Sequence, residues 1–248
     1  PAAVGSELLL NRTRLLERAP WPYLFAFLVL LPAYLLGLVR RGGRLRILIR
    51  GMFWMGMAVY VAAFLAHLFA YVLRWIASGR APLSNGFESL LFISLAVGLA
   101  GLLFEWKDRR GAVAAMAALL AFVVLGISMA SLFDPAIGLL PPVLDSNWLI
   151  IHVTVITASY GFLGLAGAIG ALIMVLYLLK GPGRQEVRRA IFMLDRLLSP
   201  VTAWGIALLT VGTILGGVWA NESWGRYWGW DPKETWSLIT ILVYAVVQ

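Results

Sequence analysis

Residues 148–179, WLIIHVTVITASYGFLGLAGAIGALIMVLYLL, contain no Asp, Glu, Lys or Arg. The run exceeds the ~20 residues that an α-helix needs to cross a bilayer. Five further apolar runs are long enough to span, and they cover residues 21–39, 51–73, 89–104, 112–133 and 200–220. A seventh begins at Trp236 and stops at Gln248, too soon to cross. The sequence therefore predicts an all-α integral membrane protein, a polytopic helical bundle with six complete transmembrane helices plus a truncated seventh.

The composition agrees with this class. Hydrophobic residues make up 61% of the chain, charged residues 13%, and the mean hydropathy is +0.88. The net charge of +8 does not indicate a nucleic-acid partner, because the basic residues cluster in short connections between apolar runs. With no cysteine, disulfides, thiolate metal sites and iron–sulfur clusters are excluded, so any metal must be held by nitrogen or oxygen.

The basic residues also predict the orientation. Thirteen of the twenty lie in the connections at residues 40–50, 107–110 and 180–196, which marks that side as cytoplasmic. We expect a multi-pass protein of the bacterial cytoplasmic (inner) membrane, with residues 219–236 on the external, periplasmic side. Residues 1–20, which mix leucines with charges, are expected to form an N-terminal interfacial segment, and residues 21–248 a single transmembrane domain.

Residues 219–236, WANESWGRYWGWDPKETW, hold five of the eleven tryptophans. Such a loop indicates either a large flat ligand lying against the indoles or anchoring in the membrane interface. Anchoring needs only one or two aromatics per helix end, and these are more crowded. Ligand contact is therefore favoured, with anchoring kept as the alternative, and the candidate residues are Trp219, Trp224, Trp228, Trp230 and Trp236.

Two histidines are available as ligands. His152 lies near the predicted outer end of the fifth span, where a neutral imidazole can bind the iron of a flat macrocycle. The alternative, equally weighted on the residues alone, is a packing histidine bonded to Tyr160 or Ser159. His67 shares a helical face with Tyr60, Tyr71 and Arg74, and a satisfied interhelical hydrogen-bond cluster is favoured there over a ligand. Gly212 and Gly216 are expected to serve close helix packing.

Three polar residues of the Trp-rich segment are also candidates. Arg226 and Lys233 are its only basic residues and suit the two carboxylates of heme, although surface pairs with Glu222 and Glu234 are the alternative. Asp231 precedes a proline and is expected to cap the next helix and organise the loop.

Three segments carry a family resemblance: WGRYWGWDPKETW (224–236), RWIASGRAPLSNGFESLLF (74–92) and SNWLIIHVTVITASY (146–160). They resemble the CcsA (ResC) branch of the WWD-domain heme-handling proteins, the system II cytochrome c synthase subunit. The resemblance implies that the WWD loop, 219–236, holds heme b flat on its tryptophans, and that His152 is an external iron ligand. It also implies presentation of heme to an apocytochrome c whose Cys-x-x-Cys-His thiols add to the vinyl groups, in a heme-lyase-type synthase with a CcsB/ResB membrane partner.

One departure from the family pattern stands out. The family has two more heme-linked histidines after the WWD loop, and this sequence stops before both, so the C-terminus is interpreted as truncated. Two other functions stay open: a noncatalytic module that hands heme to a chaperone, and a quinone- or lipid-binding respiratory subunit. No residue is assigned as catalytic, and the metal ligand is expected to be His152 alone.

Overall fold

The computed structural model describes residues 2–39, 43–130, 133–138, 146–181 and 184–248, and in those residues every regular element is an α-helix. The helices are α1 Ala2–Thr13, α2 Leu15–Arg18, α3 Pro20–Val39, α4 Gly43–Ser78, α5 Gly86–Asp108, α6 Ala112–Met129, α7 Asn147–Leu178, α8 Gln185–Trp224 and α9 Pro232–Val247. Six helices of the described chain, α3 to α8, are long and apolar enough to cross a membrane. The predicted fold class and six complete spans are confirmed.

Two helices begin earlier than hydropathy indicated. Helix α4 starts at Gly43, so Arg44, Arg46 and Arg50 lie in its first turns and not in a loop. The two other basic residues of that predicted connection, at positions 40 and 41, lie outside the described residues. Helix α8 starts at Gln185 and passes through Pro200. The buried residues of its first turns follow a helical spacing and are Val187, Ala190, Ile191 and Leu194. The charged residues on the opposite face lower the mean hydropathy, so a hydropathy average does not detect this apolar stripe.

Other element boundaries also differ from the predicted ones. Helix α6 ends at Met129, short of the predicted 133, and residues 131 and 132 lie outside the described residues. The Trp-rich segment is mostly helical, because Trp219 and Trp224 belong to α8 and Trp236 to α9. The connection itself covers only residues 225–231, so the prediction of one long loop over 219–236 was wrong.

Small side chains hold the bundle together. Helix α6 packs against α3, α5 and α7, and its alanines at 114, 115, 117 and 118 are completely buried. Helix α7 packs along α8, where a Cβ added at Gly212 would lie 3.0 Å from Ile156 Cα. Small residues let helix backbones approach closely in a membrane, so the packing role predicted for Gly212 is confirmed.

A buried ion pair joins α4 to α5 near the connection between them. Arg74 donates from Nε and Nη2 to Glu88 Oε1 at 3.1 and 2.9 Å, and Ser84 N donates to Glu88 Oε2 at 2.9 Å. Asn85 caps α5 by accepting from Glu88 N. These contacts order residues 79–85, which form one wall of the site described below.

The predicted polar face of α4 is satisfied except at His67. Tyr60 donates to Gly98 O at 2.9 Å and Tyr71 to Pro82 O at 3.2 Å. His67 is fully buried, and within the described residues neither ring nitrogen has a hydrogen-bond partner. Its ring lies edge-on to Tyr23, with centroids 6.1 Å apart. The hydrogen-bond prediction is therefore wrong for His67, whose contacts are aromatic.

Candidate functional site

A cavity of about 1160 Å³ lies where α7, α8 and α9 meet the α4–α5 connection. It is somewhat larger than most small-molecule sites, as a macrocycle-sized ligand requires. Eight of the nine predicted site residues line it, and they are His152, Trp219, Trp224, Arg226, Trp228, Asp231, Lys233 and Trp236. Residues separated by more than 80 positions in the sequence are thus brought to one site.

The hydrogen bond of His152 fixes which ring nitrogen can bind a metal. Nδ1 lies 2.7 Å from the carbonyl oxygen of Gly212. Because a carbonyl oxygen only accepts, Nδ1 carries the proton and Nε2 keeps its lone pair. Metal-binding histidines commonly have this arrangement, in which the second nitrogen donates to a backbone carbonyl. The alternative partners Tyr160 and Ser159 are not used, since the Ser159 hydroxyl donates to Ile156 O.

Gly216 makes room for the His152 ring. A Cβ added at this glycine would lie 2.6 Å from His152 Cε1 and 2.8 Å from Nδ1, closer than carbon and nitrogen atoms approach without a bond. Gly216 therefore serves close packing of α8 on α7, as expected, and the side chain it packs against is the ring of His152. Gly212 and Gly216 lie one turn apart on α8: the carbonyl oxygen of Gly212 accepts the hydrogen bond from the imidazole, and Gly216 leaves space for the ring.

The tryptophans form two edge-to-face pairs. Trp219 and Trp224 have ring centroids 6.3 Å apart, and Trp228 and Trp230 have centroids 5.6 Å apart. Among the described residues, the indole Nε1 atoms of Trp219 and Trp228 are buried and have no hydrogen-bond partner.

Trp230 lies outside the cavity wall. Its ring is 70% exposed and contacts Trp228, and its backbone adopts a φ of 56°, a left-handed conformation that is rare for bulky residues. It therefore reaches the cavity only through Trp228, and its large exposed indole is placed as an interface anchor would be.

The start of α9 is fixed by a capping box. Glu234 N donates to Asp231 Oδ1 at 2.9 Å, and Asp231 N donates to Glu234 Oε2 at 3.2 Å. Gly229 N also donates to Glu234 Oε2, at 2.7 Å. The structure confirms Asp231 as an organiser of the connection, since these bonds order residues 229–234 at the start of α9.

Two cationic side chains border the cavity. Among the described residues, neither Arg226 nor Lys233 has a carboxylate oxygen within 4.0 Å, and Glu234 is engaged in the capping box. The surface pairs considered as the alternative do not form. The Arg226 guanidinium lies over Gly229, where an added Cβ would be 2.7 Å from Cζ. Both cations are free to pair with an anionic ligand.

The opposite wall was not identified as part of the site from the sequence. Arg80, Ser84, Asn85 and Ser89 line the cavity from the α4–α5 connection and the start of α5. The available signal was the resemblance of residues 74–92 to the family, which assigned no role to any of these side chains.

Residues 83–247 match the cytochrome c assembly protein family. The chain belongs to this family. It is 39% identical over 247 residues to Protein NrfI of Wolinella succinogenes, covering 98% of this chain and 26% of that protein. It is 33% identical over 243 residues to the cytochrome c biogenesis protein CcsA of Guillardia theta, covering 88% and 77% of the two chains. A third relative, CcsA of Chlamydomonas reinhardtii, is 37% identical over 181 residues.

These relatives identify a CcsA-type member of the cytochrome c assembly family. The chain spans about a quarter of NrfI and about three quarters of the Guillardia CcsA. The family match begins at Leu83 and ends at Val247, so it includes α5 to α9 and nearly all of the cavity lining. In this family member the cavity is lined by one imidazole, several indoles and two cations that have no carboxylate partner among the described residues.

Proposed function

We propose that this cytochrome c assembly protein binds heme in the cavity between α7, α8 and α9 and presents it for covalent attachment to an apocytochrome c. The observation that carries the proposal is the His152–Gly212 hydrogen bond, because it leaves a neutral Nε2 on the wall of a heme-sized cavity. The indoles of Trp219 and Trp228 supply apolar surface for the macrocycle, and Arg226 and Lys233 supply donors for two propionates.

The protein contributes position and electrostatics to this process. His152 fixes the iron, the cations fix the propionate edge, and the vinyl edge is left to meet the substrate. When heme is bound, each vinyl group can accept one thiol of a Cys-x-x-Cys-His segment, with sulfur forming a thioether bond and the thiol hydrogen passing to the other vinyl carbon. No electron donor is needed for that addition. In this proposal heme b is the substrate.

We further propose that the cavity opens on the external side of a bacterial cytoplasmic membrane. The cavity lies at the end of the bundle opposite the eleven basic residues at 44–50, 107–110 and 180–196, which is the arrangement expected when those residues are cytoplasmic. NrfI is about four times as long as the matched region, so a CcsB/ResB-type membrane partner, separate or fused, is part of the proposal.

The test compares the two histidines of the chain. The detergent-purified chain should bind added hemin with a sharp Soret band, and His152→Ala should lower hemin affinity at least tenfold and recover it with added imidazole, which fills the vacated coordination position. His67→Ala, which removes a histidine outside the cavity, is the matched control and should keep the wild-type band.

Three results would count against parts of the heme proposal. Equal affinity and an unchanged Soret band in His152→Ala would remove His152 as the ligand. If the purified chain binds no hemin and instead retains a quinone, which has no Soret band, the respiratory-subunit alternative replaces the heme proposal. If hemin binds as expected and covalent attachment fails with every partner supplied, the noncatalytic alternative, transfer of heme to a chaperone, is favoured.

A further inference from the structure

A second cavity lies at the other end of α5. Gly86 at the start of this helix lines the heme cavity, whereas Glu105 and Trp106 near its end line a cavity of about 1220 Å³ between α3, α4 and α5. At 1.5 Å per residue, Gly86 and Trp106 are about 30 Å apart, the thickness of the hydrocarbon layer. The two cavities therefore face opposite membrane surfaces, and the orientation proposed above places this one at the cytoplasmic surface.

One stripe of α4 forms its long wall. Arg50, Trp54, Met57, Val61 and Leu65 lie three or four residues apart and share one helical face. From Arg50 to Leu65 the stripe is about 22 Å long, more than the ~15 Å of one leaflet. Trp54 and Leu65 are 62% and 55% exposed, so the groove is open to the lipid along its side. It is apolar along its length and basic at one end.

The basic end has a surplus of positive charge. Arg46 and Arg50 from α4 and Arg109 and Arg110 from the α5–α6 connection line it. Glu105 is the one acidic residue that the described chain places in the lining, and its carboxylate accepts from Gly111 N at 2.6 Å and Ala114 N at 3.0 Å. This carboxylate is therefore committed to the start of α6.

We propose that this groove binds one anionic phospholipid of the cytoplasmic leaflet. The phosphate is held at the end lined by Arg50 and Arg110, since guanidinium groups pair with phosphate through parallel hydrogen bonds. The acyl chains lie along Met57, Val61 and Leu65. A net negative headgroup is selected because Arg50, Arg109 and Arg110 line this end and the one carboxylate in its lining is already engaged. Basic pockets between membrane helices on the cytoplasmic side bind such headgroups. The heme proposal plays no part in this inference.

Gly37 provides a test that leaves every charge in place. It lines the groove from α3, and a Cβ added there would meet no atom within 4 Å. Gly37 lies two residues before the end of α3, so Gly37→Leu should fill space at the basic end of the groove without changing any charge. Gly167 of α7, which is also free of neighbours within 4 Å and lies outside the groove, provides the matched control Gly167→Leu.

The experiment measures which lipid stays bound. The full chain is reconstituted in nanodiscs of equimolar phosphatidylglycerol and phosphatidylcholine, released in mild detergent, and examined by native mass spectrometry. We expect one retained phosphatidylglycerol per chain. Arg50→Gln/Arg110→Gln should weaken its retention about 30-fold, because each cation near an anionic headgroup contributes about fivefold in affinity. Gly37→Leu should abolish retention with all arginines present.

Two variants control for charge and bulk. Arg44→Gln/Arg188→Gln removes two cations that belong to the same predicted side and lie outside the groove, and it should retain the lipid as wild type does. Gly167→Leu should do the same. Equal retention of both lipids, or of phosphatidylglycerol in the groove variants and wild type alike, would overturn the proposal. The proposal would also be overturned if the groove variants lost a co-purified membrane protein while their bound lipid stayed unchanged, since a protein would then be the occupant of the groove.

Discussion

Replacing Gly216 by alanine tests the positioning of His152, the proposed iron ligand. The added Cβ would lie 2.6 Å from His152 Cε1, about 1 Å inside a normal carbon contact, so the ring must move. Moving α8 away instead would break its close contact with Ile156 at Gly212. The imidazole therefore rotates and loses its hydrogen bond to Gly212 O.

The expected loss of heme affinity follows from the rotated ring and the broken hydrogen bond. A lost hydrogen bond costs about 0.5–1.5 kcal/mol, and an off-rotamer side chain costs about the same. Their sum of about 1–3 kcal/mol corresponds to roughly a 5- to 150-fold loss in heme affinity, and changes to the second partner of a metal-binding histidine commonly cost about 10- to 100-fold. Alanine is favoured over glycine within a helix by about 0.8–1 kcal/mol, which offsets part of that cost in the folded protein, so the melting temperature should fall only slightly.

Hemin titration followed at the Soret band measures the affinity, and a detergent melting curve measures the stability. The decisive comparison is a double-mutant cycle with His152→Ala, because the cost of Gly216→Ala should vanish once the ring is gone. Gly167→Ala, where the new methyl meets nothing within 4 Å, is the control. Wild-type affinity in Gly216→Ala, or an equal cost of that change with and without His152, would refute this reasoning.

The membrane spans were predictable because lipid imposes one dominant constraint. Helices α3 and α7 agree with their predicted spans to within one residue at each end, since an uncharged run in a bilayer must satisfy its backbone as a helix. The first turns of α8 were missed because their charged face offsets the apolar residues Val187 and Leu194. Hydropathy detects helices surrounded by lipid and misses helices that lie half in contact with water.

The candidate site was predictable where its chemistry is local. The cap formed by Asp231 depends on residues within a few positions, and the Asp-Pro pair indicates it directly. The partner of His152 was not predictable, since Gly212 lies 60 residues away and a backbone carbonyl leaves no mark in the side-chain sequence. The hydrogen-bond prediction for His67 was wrong for a related reason. Helical periodicity identifies neighbours on the same helix and gives no information on what the facing helix offers.

Two further changes test the walls of the proposed heme cavity. Arg226→Gln should weaken binding of heme about tenfold and leave binding of heme dimethyl ester unchanged, because only the free propionates pair with the guanidinium; equal losses for both ligands in hemin titrations would exclude that pairing. Glu88→Leu should lower the free energy of unfolding by about 3–5 kcal/mol in detergent melts, because it leaves Arg74, whose side chain is 6% exposed, as an uncompensated buried charge. Arg74→Leu/Glu88→Leu should regain most of that loss, since paired apolar replacements of buried ions are commonly tolerated. Glu88→Leu should also lower heme affinity, because the Glu88 carboxylate accepts a hydrogen bond from the backbone N–H of Ser84, a residue that lines the cavity. Glu17→Leu, which breaks an exposed pair 3.8 Å long, should change stability by less than about 1 kcal/mol, and a Glu88→Leu protein that melts like this control would show that the ion pair does not support the wall.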